Sequence, residues 1–458
     1  MHPHRSLPVT AVILFWVALG VGCRRADTLS PGELRTYVVH VSDKHLGFPG
    51  AVRLRDGTLL VAFREGSRHV SPDGAILLSR SRDNGRTWTR PDTIVDTIFD
   101  DRDASLAEIP GGIVLLNFFA LEETPQGRRV TLFLARSADA GKTWSEPLPV
   151  HAPQFRWIAC SDNVLALPTG RLLLPAYGDL AGDSANTAFV LISEDQGMTW
   201  NRVALIARDS TGRVGYNEPA LVLLPDRSLL CVMRTAGAQR WMAVSYSFDW
   251  GASWTPPTFI DVQGEAPDVL LTQDRFLVLG YRDFSPRGVS LSFSFDGGRS
   301  WERERPIYAG TGDLAYPSLV ELPDRRLVAI YYADQAAWRF GYPDKRAAIL
   351  AAHLSLDLLI APSGFSASYR DSVTVSLRWN RVPSAHYYRV LRTDHPDSLG
   401  QVVTDCVDNG CLLRVDPADT LAYYRVLSVF SRNEGGQVYR YESAPSPALR
   451  PRRGSRKH

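Results

Sequence analysis

The chain has little cysteine, little net charge and no cluster of metal-ligating residues. Only 5 of its 458 residues are cysteine, and 51 basic against 49 acidic residues leave a formal net charge of +2. This balance gives no reason to expect nucleic acid or another polyanion as the main partner. No cysteines and histidines have the spacing of a metal site, so we expect neither a metal nor another cofactor.

Long apolar runs are also scarce, and the one that stands out is at the N-terminus. Val9 to Val21 is apolar and is followed by Gly22 and Cys23. The run is short for a membrane span and predicts a secretory signal over residues 1–23, with a linker over 24–36. The segment from Leu19 to Cys23 resembles a bacterial lipoprotein cleavage site, which would attach a lipidated Cys23 to a membrane of the cell envelope. Plain export into the medium is the alternative.

The remaining cysteines fit an oxidising compartment. Cys406 and Cys411 flank a turn and are close enough in sequence for a disulfide. Cys160 and Cys231 lie in apolar runs and are predicted to be buried thiols. The basic residues 449–458 are predicted to form a solvated tail.

Five copies of a motif, Ser-x-Asp-x-Gly-x-(Thr/Ser)-Trp, form an internal repeat. Their spacing of 47 to 56 residues suits one four-stranded propeller blade per repeat. Short polar side chains can bond the turn backbone while the tryptophan packs beneath it, so we interpret the motif as scaffold on outer hairpins. The aspartates are Asp83, Asp139, Asp195, Asp249 and Asp296.

A second repeat, offset from the first, consists of six turns that each precede an apolar run. Six hairpins predict an all-β, six-bladed propeller over residues 37–356. The sixth blade, around Tyr316 to Leu354, lacks the aspartate motif and is expected to close the ring with the early strand TYVVHVS. The six runs are RDGTLLVAF, PGGIVLLNF, PTGRLLLPAY, PDRSLLCVM, QDRFLVLGY and PDRRLVAIYY.

The pattern changes after residue 361, where no blade repeat recurs. Alternating strands appear in VTVSLRWNRVPSAHYYRVLR and in AYYRVLSVF, with a tryptophan at Trp379. Residues 361–448 resemble a fibronectin type III module, which is a small β-sandwich.

On its motifs and hairpins, the chain resembles the sialidase (neuraminidase) superfamily over about residues 40–356. The first strand of each propeller blade lines the axis, so the residues just before each hairpin are expected to meet in one central pocket. These residues are Phe48, Asp103, Ser161, Asp162, Glu218, Ala266, Asp268 and Tyr316.

The resemblance implies a tyrosine nucleophile and a glutamate that takes its proton. Tyr316, in GDLAYPSLVEL, matches the nucleophile, and Glu218, in NEPALVLLPD, matches the base. A neutral phenol can approach an anomeric carbon that carries a carboxylate, whereas an anionic nucleophile would be repelled.

The resemblance also implies three arginines that clamp the substrate carboxylate, because guanidinium groups bind carboxylates bidentately. Arg234 matches the second of these arginines. Arg287 best matches the third, and Arg282 competes for that role.

The chain departs from the family pattern at the first arginine. It reads Gly47-Phe48-Pro49 where the family has arginine, an aliphatic residue and proline, and Tyr332 stands where the family has a glutamate that orients that arginine. Arg64 is the expected substitute for the missing cation.

The acid/base position also departs from the pattern, because His69 falls near the family's aspartate. An imidazole can donate a proton near neutrality, but His69 is equally well explained as an exposed loop residue. Asp73 and Asp103 are the reserve candidates. Glu65 either anchors this loop or pairs with Arg64 or Arg68, and Asp103 and Asp162 are expected to contact the substrate.

These features support three functions. The first is an exported exo-glycosidase that removes a terminal sialic acid or a related acidic sugar from a glycan. The second is a catalytically silent propeller that binds glycans at the cell surface. The third is a hydrolase of another anionic sugar, such as a uronate.

Overall fold

A computed structural model describes residues 34–452, apart from 126, 238–239, 274, 295, 357–361, 383–384, 418–421, 435–436 and 444. The predicted signal segment, Cys23 and the last residues of the basic tail lie outside the described residues. In the described part of the chain, no helix combines the length and the hydropathy needed to cross a bilayer.

The prediction of an all-β protein is confirmed, because the described residues form 32 strands and a single short 3-10 helix at Ala337–Phe340. Strands β1 to β9 span Leu34–Ser42, His45–Arg53, Leu59–Gly66, Ala75–Ser81, Asp92–Val95, Asp100–Glu108, Val114–Thr124, Gly127–Ser137 and Leu148–Val150. Strands β10 to β18 span Phe155–Ala159, Leu165–Ala166, Leu172–Leu180, Thr187–Ser193, Arg202–Ala207, Gly215–Leu223, Leu229–Ala236, Trp241–Ser247 and Thr258–Gln263. Strands β19 to β25 span Glu265–Leu271, Leu277–Phe284, Arg287–Ser294, Glu302–Ala309, Leu314–Glu321, Arg326–Ala333 and Ala347–Ser355.

These 25 strands form six antiparallel sheets. Sheet I consists of β2 to β5, sheet II of β6 to β9, sheet III of β10 to β14, sheet IV of β15 to β18, sheet V of β19 to β22, and sheet VI of β23 to β25 with β1. As predicted, the early strand completes the last sheet, because β1 pairs with β25. It begins at Leu34, inside the segment predicted as a linker.

The first strands of the sheets face one another. Strand β2 contacts both β6 and β23, and β19 contacts both β15 and β23. The second strands carry continuous apolar runs because they are covered on both faces by neighbouring sheets. The runs LLVAF in β3 and LLCVM in β16 are buried throughout.

Side chains in or shortly after the first strands also bond the backbone of the next sheet. The carboxylate of Asp162 accepts from the N–H of Leu221, and that of Asp268 accepts from the N–H of Leu319. The hydroxyl of Ser318 accepts from the N–H of Ala51. These bonds join sheets III and IV, V and VI, and VI and I at the centre of the molecule.

The aspartate motif connects the last two strands of each of the sheets I to V. In sheet I, Asp83 accepts from the N–H and the hydroxyl of Thr87 at 2.9 and 2.6 Å, and Ser81 donates to Asp83 at 2.8 Å. The indole N–H of Trp88 donates to the carbonyl of Gly85. The aspartates of the other four motifs accept the same pair of bonds, so their side chains hold turns rather than a ligand.

The remaining strands form two further sheets. Sheet VII contains β26, β27 and β30, and sheet VIII contains β28, β29, β31 and β32. The two sheets share one apolar cluster, in which Trp379 and Tyr388 pack edge to face. Strands β26 to β32 span Ser366–Tyr369, Thr374–Arg378, Tyr387–Thr393, Gln401–Cys406, Gly410–Arg414, Tyr423–Glu434 and Gln437–Glu442.

Two expectations for this region are wrong. Cys406 and Cys411 are free thiols, so the predicted disulfide is absent. Leu449 and Arg452 form β-bridges to Tyr424 and Ser368, so the start of the predicted tail belongs to the folded region. Cys160 and Cys231 are buried free thiols, as predicted.

Candidate functional site

A backbone bulge in each of five first strands places one residue in the region where these strands contact one another. The pairing register of β2, β6, β15, β19 and β23 shifts at this point. The bulged residues have φ near +50°, a conformation that costs a non-glycine residue of order 1–3 kcal/mol and persists where the surroundings enforce it. Because a bulge re-aims side chains, it turns these residues toward their neighbours across the axis. They are Phe48, Asp103, Glu218, Ala266 and Tyr316.

Tyr316 and Glu218 meet in this region. The phenol of Tyr316 donates to Oε1 of Glu218 at 2.7 Å, and Oε2 of Glu218 accepts from the N–H of Ala266 at 2.9 Å. The backbone of sheet V therefore fixes the carboxylate. Burial and the negative charges of Glu218 and Asp103 raise the pKa of Tyr316 well above its ordinary value, so the resting phenol is neutral.

Two arginines flank this pair. Arg234 donates to Glu218 at 2.9 Å, and the guanidinium carbon of Arg282 lies 5.2 Å from the centre of the Tyr316 ring. Glu265 bridges the two arginines, at 3.1 Å from Arg234 and 3.2 Å from Arg282. The side chain of Arg234 is 30% exposed, so it remains accessible to an anionic ligand.

Asp313, directly before β23, collects four donors. Its Oδ2 lies 2.8 Å from Nε2 of His45 and 2.5 Å from Nδ1 of His69. Its Oδ1 accepts from the hydroxyl of Tyr332 at 2.7 Å and lies 3.5 Å from Arg282. Burial alone would disfavour its charge, but hydrogen bonds from the two histidines outweigh burial and hold the pKa of Asp313 well below its usual range.

His69 lies in the loop between β3 and β4, with a side chain that is 48% exposed. Asp313 holds its Nδ1, which leaves Nε2 on the other edge of the ring. That nitrogen lies 3.4 Å from the guanidinium of Arg102, and the ring packs edge to face on Phe48, which in turn contacts Tyr316. An imidazole oriented by a carboxylate is an arrangement suited to acid/base chemistry.

His45, His69 and Asp313 are also the described residues whose ligand atoms come close enough together to suggest a metal site. Both nitrogens, however, approach the same carboxylate oxygen at hydrogen-bond distance. Ligand atoms around a tetrahedral zinc ion stand about 3.3 Å apart, given bonds of about 2.0 Å. Arg102 and Arg282 add positive charge nearby, so hydrogen bonding explains the cluster better than a cation does.

Arg64 does not replace the missing clamp arginine, and that prediction is wrong. Its side chain is fully buried, donates to Asp100 at 2.6 Å and to Ser71 at 3.0 Å, and so ties the β3–β4 loop to sheet II. Arg102, not Arg64, lies against Phe48: its guanidinium carbon is 4.7 Å from the centre of the Phe48 ring. Arg102 also donates to the carbonyl of His69.

Arg287 lies away from the site, whereas Arg282, the competing candidate, lies beside Tyr316. Arg287 begins β21 at the tip of a hairpin, pairs with Phe284 and has an exposed side chain. Among the described residues, no hydrogen bond or ion pair joins its side chain to the site residues. Arg282 stands further down the same hairpin, opposite Glu265.

The expected role of Asp162 in substrate binding is also not supported by its position. Asp162 bonds the backbone of Leu221 and lines a cavity of about 20 Å³ between the first strands. Phe48 and Tyr316 line the same cavity, so its size does not separate Asp162 from the site residues. The carboxylate of Asp162 accepts from the backbone N–H groups of Leu221 and Asn163, so these contacts are with the backbone. Asp103 lines the same cavity but lies close to Glu218 and Arg102, and burial raises its pKa to about 7.

Glu65 and Asp73, the two acids near the β3–β4 loop, have structural partners. Glu65 lies 3.5 Å from His40, and it forms an ion pair with neither Arg64 nor Arg68. Asp73 accepts from the N–H and the hydroxyl of Ser67 and holds the loop in shape.

Sequence reasoning missed four residues of the site, and some carried a signal. Arg102 sits in DDRDASLAE and Glu265 directly precedes the bulge in sheet V, so both are charges at the start of a buried strand, as Glu218 is. Asp313 lies just before β23, where no repeat marks it. The missed residues are His45, Arg102, Glu265 and Asp313.

Comparisons with known proteins agree with this architecture. A family model for the BNR repeat-like domain matches residues 53–330. A sialidase of Bacteroides fragilis is 24% identical over 376 residues, which cover 70% of this chain and 63% of the relative. The chain therefore spans less than two thirds of that relative's length.

Two solved structures share the fold. A protein of unknown function from Dyadobacter fermentans has a TM-score of 0.61 at 23% identity, over 70% of this chain and 98% of its own. A leech intramolecular trans-sialidase, solved with 2,7-anhydro-Neu5Ac, has a TM-score of 0.54 at 13% identity, over 72% of this chain and 71% of its own. At these identities the likeness concerns the fold alone.

Proposed function

Since this chain belongs to the BNR repeat-like domain family, within the sialidase superfamily, we propose that it is a glycoside hydrolase that releases a terminal acidic sugar through a tyrosine nucleophile. In this proposal the six sheets are the blades of one propeller, sheets VII and VIII form a β-sandwich, and the protein acts after export. The observation that carries the proposal is the hydrogen bond of 2.7 Å between Tyr316 and Glu218.

In the first half of the reaction, the phenol oxygen of Tyr316 bonds to the anomeric carbon while the bond from that carbon to the leaving oxygen breaks. The phenol proton passes to Glu218, and a protonated His69 gives a proton to the leaving oxygen. The products are the free alcohol and a sugar joined to Tyr316.

In the second half, water attacks the anomeric carbon and the bond to Tyr316 breaks. His69 takes a proton from the water, and Tyr316 recovers its proton from Glu218. Two displacements at one carbon retain the anomeric configuration.

The charges around the pair support this chemistry. The resting phenol is neutral, so it does not repel an anionic sugar, and Arg234 and Arg282 stand beside it to bind the sugar carboxylate. When Glu218 takes the proton, the positive charges of Arg234 and Arg282 stabilise the developing phenolate.

The test is release of fluorophore from a fluorogenic sialoside and from fluorogenic uronides, by the wild-type protein and by Tyr316→Phe. The matched control is Tyr246→Phe, which removes a phenol that donates to the carbonyl of Gly297 in the motif of the next sheet. We expect turnover of the sialoside that Tyr316→Phe abolishes and Tyr246→Phe retains. Turnover by Tyr316→Phe at the wild-type rate would overturn the proposed nucleophile.

A second candidate is a hydrolase of another anionic sugar, such as a uronate. The absence of an arginine at Gly47 favours it, because a two-arginine clamp suits a carboxylate in a different position. Turnover of uronides alone supports this candidate. A wild-type protein that turns over neither substrate but binds a glycan array acts as a silent lectin-like propeller instead.

A further inference from the structure

Gly47 and Tyr332 are the two positions at which the chain departs from the family's first arginine and its orienting glutamate, and the structure shows what fills the space. A side chain at position 47 would start 3.1 Å from Cε1 of His45. The imidazole of His45 therefore occupies the space next to residue 47. The hydroxyl of Tyr332, in place of a carboxylate, points to Asp313.

His45 is a deeply buried polar residue with a single hydrogen-bond partner among the described residues. It is 1% exposed, its Nε2 lies 2.8 Å from Oδ2 of Asp313, and its Nδ1 is buried without a hydrogen bond to any part of the chain that the structure describes. A proton on Nδ1 would leave a buried donor unsatisfied, which costs about 1–3 kcal/mol. A carboxylate oxygen can only accept, so the tautomer that fits has its proton on Nε2, donates to Asp313 and leaves an unpaired acceptor at Nδ1.

We propose that His45 is a positioning residue for catalysis: it holds the carboxylate of Asp313, which in turn orients His69 with its Nδ1 inward and its Nε2 toward the substrate. The part of this inference that concerns catalysis rests on the proposed function, in which His69 is the acid/base residue. It also implies that one arginine of the carboxylate clamp has been exchanged for a hydrogen-bonded support of the acid/base residue.

The groups that face this cluster come from four elements. Asp313 approaches His69 from sheet VI, Arg102 from sheet II and His45 from sheet I, while Arg282 of sheet V and Tyr332 of sheet VI hold the other oxygen of Asp313. Of these, His45 shares Oδ2 of Asp313 with His69. A change at His45 therefore acts on the one oxygen that His69 uses.

The main test compares His45→Leu, which removes the donor, with His45→Gln, whose amide can donate to Asp313. Substrates with a poor alcohol leaving group report on the acid/base step. We expect His45→Leu to lower kcat on such a substrate by about 10- to 100-fold, the range typical of lost outer-shell support, with KM little changed. His45→Gln should recover part of this loss.

A spectroscopic measurement keeps the two proposals separable. In protein labelled with ¹⁵N-histidine, the His69 signal, assigned by its loss in His69→Gln, should show the tautomer with the proton on Nδ1 in the wild type and a mixture in His45→Leu. This readout needs no substrate, so it tests the role of His45 even if no glycoside is turned over. A folded His45→Leu with an unchanged His69 tautomer would overturn the inference.

A double-mutant cycle tests whether a side chain at position 47 would collide with His45. Gly47→Ala should displace the imidazole of His45 by a few tenths of an ångström and lower kcat several-fold in the wild type. In the His45→Ala background the space is free, so the same change should have no effect. Equal effects of Gly47→Ala in both backgrounds would show that residue 47 and His45 act independently.

Discussion

The propeller-like region has a rim, where the five aspartate motifs lie, and an axis, where the five bulged residues lie. Both contain a repeat: side chains repeat at the rim, and a backbone conformation repeats at the axis. At the rim, the serine, aspartate and tryptophan recur five times, and each aspartate bonds the hydroxyl and N–H of the residue four positions later. At the axis, a bulge with φ near +50° recurs five times, yet its residue is Phe48, Asp103, Glu218, Ala266 or Tyr316.

The difference separates scaffold from chemistry. A rim side chain must satisfy the backbone of its own turn, so its identity is fixed by that turn. An axial side chain projects into shared space, so the backbone can repeat while each sheet supplies a different group. In this protein, positions at which the same side chain recurs therefore have a structural role. Positions at which the backbone conformation recurs but the side chain varies mark the functional site.

The sharpest test of this contrast removes one charge from each region. Glu218→Gln should lower kcat by about 10²- to 10⁴-fold, because the phenol of Tyr316 loses its base. The amide can still accept from the N–H of Ala266, so the fold should persist. The matched rim variant, Asp296→Asn, alters only the turn around Ser300 and should leave kcat unchanged.

Rates are compared on samples whose melting temperatures show that they are folded. If Asp296→Asn impaired kcat as strongly as Glu218→Gln, the assignment of the rim to scaffold would be wrong.

His69 belongs to neither repeat. A His69 variant therefore tests whether the functional site includes residues other than the bulged residues of the first strands. His69→Ala should lower kcat by about 10²- to 10⁴-fold on a sugar linked to an alcohol, but by less than about 10-fold on a nitrophenyl glycoside, whose leaving group needs no proton. His151→Ala, which changes an exposed histidine between sheets II and III, is the control. A loss that does not depend on the leaving group would exclude His69 as the acid.

The sequence was sufficient to predict the strands and the scaffold motif, because these depend on local periodicity. The pairing of Tyr316 with Glu218 was implied by the resemblance to the sialidase superfamily, and the hydrogen bond between them agrees with it. The sequence did not predict that Arg64 faces sheet II rather than the axis. That orientation depends on Asp100, a residue of the next sheet, with which Arg64 forms a buried ion pair.

The same reason explains the missed carboxylates. Asp313 and Glu265 are placed by the ends of strands, and their roles arise from contacts with residues of other sheets. Nothing within a few residues of either one records those contacts. Arg282 and Arg287 could not be separated because the position of the hairpin turn between them decides which one lies near the axis.

A pair of variants on that hairpin sharpens the comparison between axis and rim within one sheet. Arg282→Lys should raise KM for an anionic substrate about 10- to 150-fold, because a charge-assisted hydrogen bond contributes roughly 1.5–3 kcal/mol. Arg287→Lys, a few residues away at the exposed tip, should leave KM unchanged. Similar effects of both changes on KM would return Arg287 to the site.

The smallest expected effects concern stability, where acids at the rim and the axis should respond to pH in opposite directions. Partial burial opposes ionisation of Asp83, but hydrogen bonds from Thr87 and Ser81 outweigh it and lower its pKa. This group therefore stabilises the fold above about pH 4, and the stabilisation is lost as the pH falls through the folded pKa. Burial raises the pKa of Asp268 to about 7, so its ionisation destabilises the fold increasingly as the pH rises from about 4 to about 7.

Chemical denaturation at several pH values measures both effects. At pH 8, Asp83→Asn should lower the free energy of unfolding by about 1 kcal/mol after allowance for solvent screening. Asp268→Asn keeps an acceptor for the N–H of Leu319 and should raise the free energy of unfolding by about 1–3 kcal/mol. Near pH 3 both differences should shrink, because both carboxyls are then largely protonated in the unfolded chain. If both variants changed the free energy of unfolding in the same direction at pH 8, ionised carboxylates at the rim and at the axis would not differ in their effect on stability.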